Sequence, residues 1–258
     1  MAPSPFMLMD IPIDNITMDE AVQRIFDAAA SYTPQSPSSH MHFVNAHCIN
    51  TAAVNEEYRQ ALIRADAVFP DGSGIRKAGT MLGVPVKDNV NGTDMFPLLC
   101  RRCAEQGMRM YLLGAKPGAA EKTGRWAAEH AGKEVIAGTR DGYFSPEEEQ
   151  AVIDAVNASR PDILLTAMGV PRQELWLHMH RDALKVPVCM GVGGLFDFYS
   201  ETIPRAPLWM RRGGIEWVWR LMMEPGRMWR RYIIGNAVFL MHIKKIQRNM
   251  RKEGRKQP

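Results

Sequence analysis

The chain has 258 residues, 46% of them apolar and 23% charged, with a formal net charge of +4. That composition excludes a disordered, collagenous or wholly coiled-coil chain, and the length leaves room for one large domain or two small ones. No run of about 18 apolar residues predicts a membrane-spanning helix, no secretory leader is visible, and four irregularly spaced cysteines point to reduced thiols in a cytoplasmic protein rather than a disulfide framework.

The elements are expected in the following order. Met7 to Ile13 is a short apolar run. Thr17-Met18-Asp19-Glu20 is a capping box, so a helix should start there and run to about Ala30. His42 to Asn45 suits a buried strand, Ile49 to Arg64 a helix, and Ala67 to Phe69 a strand closed by Pro70-Asp71-Gly72. Met95 to Gln106 and Ala119 to Ala131 read as helices, with a strand at Arg109 to Leu113 between them. Glu134 to Ala137 is the next strand, and Ser145-Pro146-Glu147-Glu148 is a second capping box with proline at the first helical position. Asp162 to Thr166 and Pro187 to Met190 complete the strands. This alternation predicts an α/β fold: a Rossmann-like, mostly parallel sheet with helices on both faces.

Charge divides the chain. From Arg205 to the end the formal charge is +11, and before it −7; the same tail holds four of the six tryptophans. The expected organisation is therefore a mildly acidic, Rossmann-like body over residues 1–204 and a basic, helical, Trp/Arg-rich appendage over 205–258. Such a tail points to an anionic partner: a membrane surface, a phosphate-bearing ligand or a nucleic acid. Tyr232 to Ile243 is apolar but too short to span, with arginines before it and lysines after it. It suits a helix in the membrane interface, and equally a helix packed on the body.

Ligands of open parallel sheets bind beyond the carboxyl ends of the strands. Glycine- or Asx-rich stretches follow most of the expected strands, at Asn45, Asp71, Gly114, Asp141, Gly169 and Gly191. None is a P-loop or a complete dinucleotide fingerprint. By residue type Asp71 is either a general base or a turn aspartate, and His47 either an acid/base or phosphate contact or a backbone-bonded histidine. Cys100-Arg-Arg-Cys103 lies inside an expected helix with no second ligand pair, and His178 and His180 fall on different helix faces, so no metal site is expected.

The motifs, taken together, carry a resemblance. Phe69-Pro-Asp-Gly-Ser-Gly, Val90-Asn-Gly-Thr-Asp-Met, Tyr111-Leu-Leu-Gly-Ala-Lys-Pro-Gly, Asp141-Gly-Tyr-Phe, Gly169-Val-Pro-Arg-Gln-Glu and Gly191-Val-Gly-Gly-Leu-Phe-Asp-Phe occur in this order. Arg205-Ala-Pro-Leu-Trp and Ile215-Glu-Trp-Val-Trp-Arg-Leu-Met-Met-Glu-Pro follow them. From about Asn45 to Tyr232 the chain resembles the WecG/TagA/CpsF family of bacterial glycosyltransferases.

The resemblance implies an inverting, metal-independent enzyme without a cofactor. It would move a sugar from a UDP-sugar to a polyprenyl-diphosphate-linked sugar at the inner face of the cytoplasmic membrane. It also implies site roles: Asp71 as catalytic base, Asn45 as a polar active-site residue, Gln173 as a substrate contact, Tyr143 near the uracil, and Asp197 at the nucleoside. Arg220, Arg227 and Arg230 match appendage arginines that meet a diphosphate. Phe43, Asn89 and Ser200-Glu201 depart from common family residues and bear on sugar choice. Asn-Ala-His-Cys around His47 resembles the exopolysaccharide branch and favours glucose transfer from UDP-glucose to lipid-linked glucose; transfer of N-acetylmannosamine is the alternative. A Rossmann-type oxidoreductase and a basic-tail nucleic-acid binder are the readings from other classes. No nucleic-acid partner is expected, and self-association is left open.

Overall fold

The computed structural model describes residues 5–254; the first four residues of the expected body and the last four of the expected appendage lie outside the described residues. The expected mixed α/β architecture is observed. Six strands form one wholly parallel sheet: β3 (Ser39–Val44), β4 (Ala67–Pro70), β5 (Met110–Gly114), β6 (Ile136–Arg140), β7 (Ile163–Ala167) and β8 (Val188–Gly191). Their order across the sheet is β4-β3-β8-β7-β5-β6. Because all six run the same way, every strand delivers its C-terminal residue to one edge. Register keeps those ends level: Val44 lies beside Pro70, Thr166 beside Gly191, and Gly114 beside Ala167.

The strands alternate between two faces, as pleated backbone requires. Met110, Leu112, Ile163, Leu165, Val188 and Met190 point to the face covered by α1 (Met18–Ser31), α5 (Gly92–Gln106), α6 (Ala119–Ala131) and α9 (Leu195–Tyr199). Tyr111, Leu113, Leu164 and Cys189 point to the other face, under α7 (Glu149–Ser159) and α8 (Arg172–Met179). Val44 and Val68 share that second face with α2 (Ala46–Ala52), α3 (Glu56–Ile63) and α4 (Gly72–Met81).

Both expected capping boxes form, at Thr17/Glu20 and Ser145/Glu148. Three local expectations are corrected. The first apolar run is a hairpin, β1 (Phe6–Leu8) with β2 (Ile11–Ile13), turned by Met9 and Asp10 at positive φ. The single helix expected over Ile49 to Arg64 is two helices, because Asn55 caps a new start by accepting from the Tyr58 N–H at 2.9 Å. Lys133–Val135 is a 3-10 turn, so β6 begins at Ile136, two residues later than expected.

The basic tail forms α10 (Leu208–Arg212), α11 (Glu216–Met223), α12 (Pro225–Trp229), one π-turn (Arg230–Ile234) and α13 (Gly235–Gly254). One face of α13 packs on the body: Phe239 and Ile243 are fully buried with Val44, Cys48, Ile49, Ile75 and Ala78. Asn50 Nδ2 donates to the Gly235 carbonyl at 2.7 Å, and Gln247 Nε2 to that of Met81 at 2.6 Å. Elsewhere in the tail, Trp209, Met222, Met223, Trp229, Ile233, Ile234 and Met241 are exposed. No helix among the described residues is long and apolar enough to cross a membrane.

Candidate active site

The carboxyl edge of the sheet opens into a cleft of about 840 Å³. Its walls come from the loops after all six strands and, on the far side, from the basic tail. Asp71, Asn45, His47, Gln173, Tyr143, Asp197, Arg220 and Arg227 all line it. Arg230 does not: it is exposed and stacks outward over the Trp229 ring. Its neighbour Arg231 takes the inward position instead.

Asp71 occupies the N-cap position of α4, where an aspartate ordinarily accepts from the first free N–H groups of the helix. Its side chain makes no such bond. The carboxylate turns away and receives Asn45 Nδ2 on Oδ2 at 3.3 Å. Asn45 is fixed in the complementary sense. As N-cap of α2 its Oδ1 accepts from the His47 and Cys48 N–H groups, at 3.0 and 3.3 Å, so its amide nitrogen faces Asp71. Burial pushes the Asp71 carboxyl up to about 6, against the Asn45 hydrogen bond and the positive charge of Arg231. Such a group is ionised at neutral pH and yet basic enough to accept a proton.

His47 stands on the first turn of α2. Burial first, and Arg231 second, lower its imidazole to about 4, so it is neutral at physiological pH. It can exchange hydrogen bonds with a ligand but brings no charge to a phosphate.

Gln173 braces the cleft floor. It is almost fully buried, and Oε1 accepts from the N–H groups of Gly169 and Gly193 at 3.2 and 3.1 Å, tying the loop after β7 to the loop after β8. Its Nε2 donates to Glu174 Oε1 at 2.8 Å. The fit requires a glycine at 191, since a Cβ there would fall 2.7 Å from Gln173 Nε2. Glu174 itself was not foreseen as a site residue. It is wholly buried, its Oε2 has no partner, and burial pushes its carboxyl up to about 7.

The wall of the cleft formed by α9 and α11 carries an ion-pair cluster. Arg220 is held by Asp197 at 3.2 Å and Glu224 at 3.4 Å, over the Phe198 ring. Its guanidinium lies flat against Gly194, where a Cβ would come within 2.7 Å of Nη2. Arg227 pairs with the other oxygen of Glu224 at 3.1 Å. Burial raises the Asp197 carboxyl, and Arg220 and Arg227 oppose that rise. Tyr143 stands at the rim with its ring 67% exposed, on a loop turned by Asp141, which accepts the Tyr143 N–H.

Of the departures, Phe43 packs on Phe69 at 5.5 Å and lines the cleft, while Asn89 Oδ1 accepts the Gly72 N–H at 2.6 Å. Ser200 bonds Thr202 at 2.8 Å. Cys100 and Cys103 are buried free thiols in α5, and burial raises both. No group of three or more His, Cys, Asp or Glu among the described residues is arranged to hold a metal.

Comparison with known proteins identifies the family. The profile of the glycosyl transferase WecG/TagA/CpsF family matches residues 6–253. The chain belongs to this family. It is also 33% identical over 204 residues to a protein of Bacillus spizizenii named N-acetylglucosaminyldiphosphoundecaprenol N-acetyl-beta-D-mannosaminyltransferase; the match covers 79% of this chain and 78% of the relative. The protein is a glycosyltransferase. The relative's name carries N-acetylmannosamine, so the glucose preference drawn from His47 finds no support there, and the alternative does.

Proposed function

We propose that this glycosyltransferase moves N-acetylmannosamine from UDP-N-acetylmannosamine to N-acetylglucosamine held on a polyprenyl diphosphate. The observation that carries the chemistry is the carboxylate of Asp71, withheld from its helix cap and presented to the cleft by Asn45. The sugars are those in the name of the relative.

In this reading Asp71 takes the proton of the acceptor hydroxyl as that oxygen attacks the anomeric carbon of the donor. The bond from that carbon to the β-phosphate oxygen breaks on the opposite face, UDP departs with the electron pair, and configuration inverts. Charge developing on UDP is met by Arg220 and Arg227 and by the N–H groups at the start of α9, in place of a metal ion. Tyr143 offers its ring to the uracil. Phe43 supplies an apolar wall of the kind an acetamido methyl requires.

The exposed Trp209, Trp229, Met222, Met223, Ile233 and Ile234 form the face that would sit in the headgroup region, with the tail's cations against anionic lipid. The enzyme would thus work peripherally on the inner face of the cytoplasmic membrane. The body up to residue 204 would supply the base and the donor cleft, and the tail would close it.

The test is mass spectrometry of a synthetic polyprenyl-diphosphate N-acetylglucosamine incubated with lipid vesicles and each donor separately. A gain of one N-acetylhexosaminyl unit, abolished in Asp71→Asn, is expected. A hexose gain from UDP-glucose alone would overturn the donor assignment.

A further inference from the structure

The tail arginines differ in what holds them. Arg205 pairs with Asp94 and Glu216, Arg211 with Asp94, Arg220 with Asp197 and Glu224, and Arg227 with Glu224. Arg231 has no ion pair among the described residues, and its buried Nε has no hydrogen-bond partner. Its guanidinium carbon lies 5.8 Å from the centre of the Tyr232 ring, on the cleft wall. Its charge acts on His47, Cys48 and Tyr58 as well as on Asp71. Arg231 thus stands on the tail wall of the same cleft that Asn45 and Asp71, the N-caps of α2 and α4, line from the body.

What places it there is the fold of the tail. The Asn50 bond to the Gly235 carbonyl pins the end of the π-turn to α2. One turn later, Phe239 fits between α2 and α4: a Cβ on Gly74 would lie 3.7 Å from its ring and 3.2 Å from the Ala46 methyl. The same two helices that carry the base and its amide partner thus form the socket that seats α13.

We propose that Arg231 is a positioning residue for Asp71, and that seating α13 brings its unpaired charge to the carboxylate and holds it ionised. Docking of the appendage and readiness of the base are then one event. Other groups facing Asp71 oppose or stand aside from this. Glu216 on α11 and Asp94 on α5 favour the protonated form, Asn45 donates without charge, and Tyr232 carries a hydroxyl whose own ionisation is raised by burial. Arg231 is the cation among these groups, and its effect exceeds that of either carboxylate taken singly. The catalytic meaning rests on Asp71 being the base; the electrostatic coupling does not.

The experiment follows the Asp71 carboxyl directly, by carbon NMR of full-length protein labelled at aspartate carboxyls, with Asp71→Asn identifying the resonance. Removing an opposite charge at close range should raise the midpoint in Arg231→Gln by about half a unit or more. Arg231→Met, which keeps the apolar stem, should behave alike. Arg231→Lys should restore the wild-type midpoint, and Arg230→Gln should leave it unmoved. An unchanged midpoint in both neutral variants, or an equal rise in Arg230→Gln, would overturn the proposal. No substrate is needed, so a failure of sugar transfer would count against the proposed donor and acceptor and not against this coupling. In the transfer assay, the acid limb of kcat/KM should move to higher pH with the NMR midpoint.

Discussion

Asn45 Nδ2 donates to Asp71 Oδ2 across 3.3 Å, linking the N-caps of two adjacent helices that begin at neighbouring strand ends. The bond joins a residue that does cap its helix to one that does not. Asn45→Ala removes both the α2 cap and the amide facing the base. Loss of an N-cap costs about 1 kcal/mol, and transfer should fall by far more than the fold loses. Asn45→Asp separates the two effects: the cap survives, but a second carboxylate now faces Asp71. Thermal unfolding alongside kcat should show near-normal stability with an acid limb displaced upward.

Asp71 itself should cost the fold stability. Its carboxyl is raised from 3.8 to about 6, so the folded protein binds this proton more tightly than the unfolded chain. The ionised form therefore destabilises the fold at and above neutral pH, by on the order of 3 kcal/mol. The penalty disappears as pH falls below the unfolded value. Asp71→Asn should accordingly unfold at a higher denaturant concentration than wild type at pH 7.5, with the gap closing toward pH 4. A gap that widens on acidification would contradict the burial of this carboxyl.

Gly191→Ala tests the floor of the cleft. The new methyl must displace Gln173, releasing the Gly169 and Gly193 N–H groups that it holds. Overpacking of this kind costs about 1–3 kcal/mol. Both the midpoint of unfolding and UDP-sugar affinity, measured by calorimetry, should fall.

Trp209→Ser combined with Trp229→Ser removes two exposed rings that are not among the residues lining the cleft. Melting temperature should stay within a degree or two of wild type. Sedimentation with vesicles rich in anionic lipid should drop severalfold, and so should transfer to a lipid-borne acceptor.

Much of the body was legible because its signals are local. Capping boxes at Thr17 and Ser145, short continuous apolar runs in β5 and β7, and glycine at the ends of β5 and β8 need no tertiary information. The helix after Asp71 was missed because Gly72-Ser73-Gly74 has turn composition; packing of Ile75 and Ala78, not propensity, makes it helical. The split at Asn55 was readable as an Asn cap followed by two glutamates, but the flanking apolar pattern hid it. Within the site, the family motifs named residues that line the cleft, except that of the Arg230–Arg231 pair they named Arg230, while Arg231 is the one in the lining. Burial periodicity through Met228, Tyr232, Phe239 and Ile243 would have turned residue 231 inward. The π-turn between them is what a regular helical reading could not supply. Glu174 carries no sequence signal of its buried state, since glutamate is rarely buried without a partner.

The clasp on Arg220 makes the resting cleft its own counter-ion reservoir. Asp197 and Glu224 engage Nη2 and Nε, so an anion that reaches this guanidinium meets a cation whose charge is already shared. Asp197 is also within the field of Lys116, on the loop after β5. One carboxylate thus answers to cations on two walls of the cleft, the tail and the loop after β5.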